Sequence, residues 1–136
     1  MRFATYLMVA LLSVSACKKI VQKQEEDALL QLIVSGQWAV SKYTIDTSDV
    51  VLMFAPYRFQ FKKDFTVDAI NNGVVENTGT WNGSIATRTI TSNFPNPNPT
   101  LSLLNGTWRV TDSGSDYVEA TQTINSKNHF LRLVKK

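Results

Sequence analysis

The run Tyr57-Arg58-Phe59-Gln60-Phe61-Lys62 alternates aromatic and polar side chains without a break. Successive side chains of a strand point to opposite faces, so this segment has one face to bury and one to hydrate. Similar short runs fill the rest of the chain from Gly36 onward, each closed by turn residues. Gln37 to Ile45 is the first strand candidate. Lys63-Asp64 reads as the turn after Lys62, with Phe65, Val67 and Ala69 continuing on the next strand. Asn71-Asn72-Gly73 marks a further turn. Val74 to Trp81 and Ser84 to Thr91 form a pair around Asn82-Gly83, the strongest hairpin signal in the chain. Thr107 to Thr111, Tyr117 to Ile124 and His129 to Val134 complete about eight strands, with Lys127-Asn128 as the last turn. Even spacing of short strands predicts an antiparallel barrel or sandwich.

A weak internal repeat runs through these strands. Gly36-Gln37-Trp38-Ala39-Val40-Ser41 echoes Gly106-Thr107-Trp108-Arg109-Val110-Thr111, and Gly79-Thr80-Trp81 is a partial third copy. Glycine permits close backbone approach and the indole then fills interior volume, so Trp38, Trp81 and Trp108 are expected in the structural core.

The N-terminus carries a different signal. Met1-Arg2 is followed by the apolar run Phe3 to Leu12 and by small residues at Ser13, Ser15 and Ala16, the layout of a secretory leader. The run is shorter than the about 20 apolar residues a permanent span needs. Directly behind it stands Cys17, the only cysteine among the 136 residues. One thiol makes no internal disulfide, and with one histidine, His129, the usual metal-site and Cys/His nucleophile patterns lack their ligands.

Val14-Ser15-Ala16-Cys17 resembles a bacterial lipobox. The resemblance implies lipidation of Cys17 and cleavage before it, with the membrane as partner through that lipid. Residues 1–16 are then a signal peptide. Residues 17–35 are lipidated cysteine, tether and short helix, and residues 36–136 are the folded domain. Glu25, Glu26 and Asp27 suit a helix N-terminus, Ala28, Leu29, Leu32 and Ile33 share a helical face, and Gly36 is the expected stop.

Gly-x-Trp on the first strand after a short helix is similar to the lipocalin superfamily. The wider layout resembles the small lipocalin-like lipoproteins of Bacteroidetes. The residues that carry the resemblance are Ser35 to Val40, Phe54 to Phe61, Thr78 to Trp81, Leu104 to Val110 and Phe130 to Lys136. It covers nearly all of residues 35–136. It implies an all-β fold, an antiparallel lipocalin-like β-barrel, and a lipid-anchored place in the cell envelope at the outer membrane; it implies no agreed activity. The chain departs from the group in having Lys62-Lys63-Asp64-Phe65 where a glycine is common. Its acidic residues also follow Lys18-Lys19 instead of preceding them, which leaves periplasmic face and cell surface both open.

No catalytic group is expected, nor any metal or cofactor. The basic residues are scattered, so nucleic acid is not an expected partner despite a net charge of +3. Asp112-Ser113-Gly114-Ser115-Asp116 has too few ligands for calcium and reads as a turn, and His129 is expected at the surface. Val50 to Ala55 is the most apolar stretch of the mature chain. Two readings of it stand: a lid over a pocket, or a segment that closes one barrel end. In the first, Val51, Met53 and Phe54 cover a cup lined by Tyr57, Phe59 and Phe61, which carries a small apolar ligand. In the second, the barrel is filled and binds an envelope protein or glycan through its surface. Phe94-Pro95-Asn96-Pro97-Asn98-Pro99 is expected to be a stiff loop crossing a barrel end.

Overall fold

The computed structural model describes residues 23–136. The leader, Cys17 and the first part of the tether lie outside the described residues. The described residues 23–32 belong to one compact unit, and residues 33–136 form a second. Residues 23–34 form helix α1. It stops where expected, at Ser35-Gly36, with Gly36 at φ +79°, a left-handed conformation that a side chain resists.

The second unit is an antiparallel barrel. Its strands are β1 (Trp38–Ile45), β2 (Ser48–Asp49), β3 (Tyr57–Phe61), β4 (Thr66–Asn71), β5 (Val74–Ser84), β6 (Thr89–Asn93), β7 (Gly106–Ser113), β8 (Tyr117–Ile124) and β9 (Lys127–Lys135). They follow one another around the sheet, and β9 returns to β1 to close it. Of the 9 strands, two-residue β2 only extends the edge of β1, so eight form the wall. The β1–β9 pairing runs from Trp38↔Lys135 to Ile45↔His129, with a bulge at Ser41. The β1–β3 seam is held by the single pair Trp38↔Phe59.

In such a meander the turns alternate between the two ends. The entry end carries Gly36 and the turns after β3, β5 and β7. The opposite end carries the segment before β3, the Asn72-Gly73 turn, the connection after β6 and the turn after β8. Tyr57, Phe59 and Phe61 on β3 face inward opposite Asn71, Ala69 and Val67, which sets the inward face of the whole sheet.

Four expectations need correction. Asn82-Gly83 is not a turn: β5 runs through it to Ser84, and the chain reverses at residues 85–88 with Arg88 at φ +54°. The register explains why. A turn at Asn82-Gly83 would set Ile90 opposite Val75 on the outer face and Arg88 opposite inward Asn77. The observed pairs Trp81↔Ser92 and Gly83↔Ile90 put Ile90 inside and leave Arg88 in the turn. Burying isoleucine rather than a guanidinium outweighs a local turn preference. Phe65 does not continue on β4; it sits in the turn after β3 at φ +65°, the place a glycine would take. The last hairpin turns at Asn125-Ser126, both at positive φ, rather than at Lys127-Asn128. Finally, His129 is buried, at 5% exposure, because it faces inward on β9 beneath Tyr43.

Candidate functional site

The end of the barrel opposite the entry is sealed. Val51–Phe54 forms a single 3-10 turn, and Val51 N–H donates to the Asp49 carboxylate at 2.9 Å. Four residues of such a turn present few positions inward. Phe54 takes the inward place and stacks on Tyr43 with ring centroids 5.3 Å apart. Val51 is half-buried, while Leu52 and Met53 point to solvent at 85% and 41% exposure. The Tyr43 hydroxyl donates to Leu103 O at 2.7 Å and lies 2.8 Å from His129 Nδ1. A hydroxyl has one hydrogen, so this pair assigns a proton to His129 Nδ1, which donates to the Tyr43 oxygen. Burial pushes the His129 pKa below its ordinary value and the Tyr43 pKa above its own.

The connection after β6 completes the seal. Phe94 is buried, Asn98 caps the short helix α2 (Pro99–Ser102) by accepting from Leu101 N–H at 2.8 Å, and Leu101 is buried beneath it. Tyr57 is buried too. Its hydroxyl donates to Glu76 Oε2 at 2.5 Å and accepts from Asn98 Nδ2 at 2.8 Å. Burial first, then this bond to a carboxylate, raises the Tyr57 pKa. The cluster clasps the β4–β5 hairpin to the proline-rich connection.

The entry half of the interior is different. It holds a cavity of about 50 Å³. Its floor is Phe59, Phe94, Leu104, Trp108 and Leu131, all buried. Its rim is Phe61, Ile90, Val118 and Leu133, all half-buried, so exposure rises toward the entry end. The polar groups in the wall are already used: Ser92 Oγ and Trp108 Nε1 both donate to Leu104 O, at 2.5 and 3.0 Å. What remains for a ligand is apolar contact alone.

Of the residues expected around a cup, the structure brings Phe59 and Phe61 together at this cavity. Tyr57, Val51, Met53 and Phe54 belong to the sealed end. Trp38, Trp81 and Trp108 are 2%, 4% and 3% exposed. The alternations Val118-x-Ala120 and Leu131-x-Leu133 were the signal for the other wall, readable only once β8 and β9 are paired. Asp68 and Glu76 do not meet as a carboxylate pair. Asp68 is on the outer face with Lys62 Nζ at 2.8 Å and the Thr78 hydroxyl at 2.8 Å, while Glu76 is at the sealed end. Among the described residues no group of three or more His, Cys, Asp or Glu is placed to hold a metal ion.

No family model and no curated protein sequence matches the chain. Among solved structures, a DUF4847 family protein from Bacteroides vulgatus is similar in fold, with a TM-score of 0.58 at 14% identity. The match covers 79% of this chain and 97% of that one. At that identity the likeness concerns the barrel.

Proposed function

We propose that this chain is a lipocalin-like envelope lipoprotein, anchored at the outer membrane by lipid on Cys17, with a non-catalytic interaction role. The barrel is a rigid scaffold, and its entry end receives one apolar side chain of an envelope protein partner. The observation that carries this reading is the size and chemistry of the cavity. Ligand pockets span about 300–1,000 Å³, and even benzene needs an engineered cavity of about 150 Å³. A space of about 50 Å³ suits the tip of one branched side chain and cannot enclose a lipid. Seating one such side chain contributes about 1.5–3 kcal/mol, enough to orient a partner but not to hold it alone.

A photoreactive residue placed at Leu133 in living cells tests this. The expected result is one discrete envelope-protein adduct, abolished by Val118→Glu at the rim and not formed from the same probe at Leu52. A stoichiometric apolar small molecule in the native mass spectrum would overturn the reading in favour of a carrier. Equal labelling from both positions, or none from Leu133, would overturn it as well.

A further inference from the structure

A second concavity lies on the outside of the wall. It is a shallow groove whose floor is Thr80–Asn82 of β5 and whose sides are Asp64–Thr66 and Thr91–Asn93. Its volume is about 390 Å³, against about 50 Å³ for the interior cavity. The pairs Thr80↔Asn93 and Asn82↔Thr91 align four exposed polar side chains across two strands, with half-buried Thr66 beside Thr80. None of the lining residues is cationic. The one acid, Asp64, is engaged through Oδ1, which accepts the Thr66 N–H at 3.0 Å and the Thr66 hydroxyl at 2.6 Å. The Thr80 hydroxyl and the Asn93 amide make no side-chain hydrogen bond within the described protein, and the Asn82 amide uses only its oxygen, for Gly83 N–H.

Phe65 stands at the edge of this groove in an unfavourable state on two counts. Its φ of +65° crowds the Cβ, at a cost of about 1–2 kcal/mol that glycine would avoid. The residue is 47% exposed. The ring packs against buried Trp81, with centroids 5.6 Å apart and planes at 54°, and Phe65 is among the residues that line the groove. Glycine or asparagine would serve the turn better and expose less apolar surface. Strain kept at an exposed aromatic is a mark of use.

We infer that this groove binds a neutral saccharide. Hydroxyl and amide side chains both donate and accept, which matches sugar hydroxyls. An exposed aromatic side chain lining the groove matches the apolar C–H face of a pyranose, and a groove without cationic residues offers nothing to a phosphate or a carboxylate. The inference is independent of the interior cavity and of the partner proposed for it.

The test is amide NMR on the full chain carrying Cys17→Ser. The probes are maltotetraose, xylotetraose, mannotetraose and chitotetraose, each to about 10 mM, a range that reaches millimolar affinity. The expected result is saturable shifts at Phe65, Thr80, Asn82, Thr91 and Asn93 and at the Trp81 indole for at least one sugar. Phe65→Gly, which relaxes the turn and removes the ring, should weaken that sugar about tenfold with the other amides unmoved. Asn82→Ala should weaken it as well. Absence of shifts with all four sugars would overturn the inference. So would shifts centred elsewhere, undiminished binding by Phe65→Gly, or a preference for oligogalacturonate over every neutral sugar.

Discussion

Gly79→Ala and Gly83→Ala are the same chemical change, four residues apart on β5, and the structure assigns them opposite signs. Gly79 faces inward opposite Val67, where the chain leaving β6 passes closest to the sheet. A Cβ there would overlap the Asn93 carbonyl oxygen, stand 2.9 Å from Phe94 Cδ1 and 3.1 Å from the Asn93 carbonyl carbon. Two of those three atoms are backbone, and Phe94 is 2% exposed against Phe59, so none can swing aside. Overpacking costs about 1–3 kcal/mol, and a backbone obstacle places this case at the top of that range. Gly83 is open: its Cβ would find Thr89 O and Trp81 Cζ3 at 3.8 Å, ordinary contact. There alanine should gain about 0.5–1 kcal/mol from the lost flexibility of glycine. The two variants should thus differ by about 3.5–4 kcal/mol in urea unfolding followed by tryptophan fluorescence, with unchanged m. For a domain of this size that is a separation of roughly 12–20 °C in Tm. A difference under about 1 kcal/mol would refute the packing of Phe94 against β5, and with it the seal over the interior.

Two further outcomes follow from titrating groups. His129 has its pKa depressed by burial, with Asp46 opposing and Lys127 adding to the shift, so the unfolded chain binds the proton more readily. Stability should be full above the ordinary value of 6.5 and fall as pH drops through the lower folded value. The urea midpoint at pH 5 against pH 7.5 checks this, and His129→Gln should flatten the profile. Asp68 is held below the usual carboxylate range chiefly by Lys62, so its contribution is present above 3.8 and lost as pH falls through the folded value. Lys62→Met should lower the midpoint at pH 7 and approach wild type near pH 3; an equal deficit at both would mean that Lys62 acts through its stem.

Much of the barrel was legible because strand periodicity is local. Tyr57 to Phe61 shows its inward face in five residues, and Asn72-Gly73 turns as its dipeptide suggests, with φ of +47° and +83°. The helix before Gly36 was legible for the same reason. What failed was the choice among turns. Asn82-Gly83 has the same chemistry as Asn72-Gly73, yet it lies mid-strand because the partner residues of β6 decide the register. That decision depends on whether Ile90 or Arg88 faces the interior, and no window around Asn82 contains the information. Phe65 failed for a neighbouring reason: nothing in a phenylalanine announces positive φ.

The same misread turn hid both surfaces of the wall. With a reversal at Asn82-Gly83, Asn82 would be a turn residue and Ile90 an outward one. The groove would lose its floor and the cavity its rim. Once β5 extends to Ser84, Thr80 and Asn82 fall opposite Asn93 and Thr91 outside, while Trp81 and Gly83 fall opposite Ser92 and Ile90 inside. The apolar stretch Val51 to Phe54 was legible only in part. Its hydrophobicity was real, but a single 3-10 turn turns only Phe54 fully inward. A strand carries a period from which facing can be read; a one-turn segment carries none, so composition left a lid and the closure of a barrel end both open. Sites on this fold are therefore set by register between strands, and the outward positions Thr80, Asn82, Thr91 and Asn93 become a surface only through it.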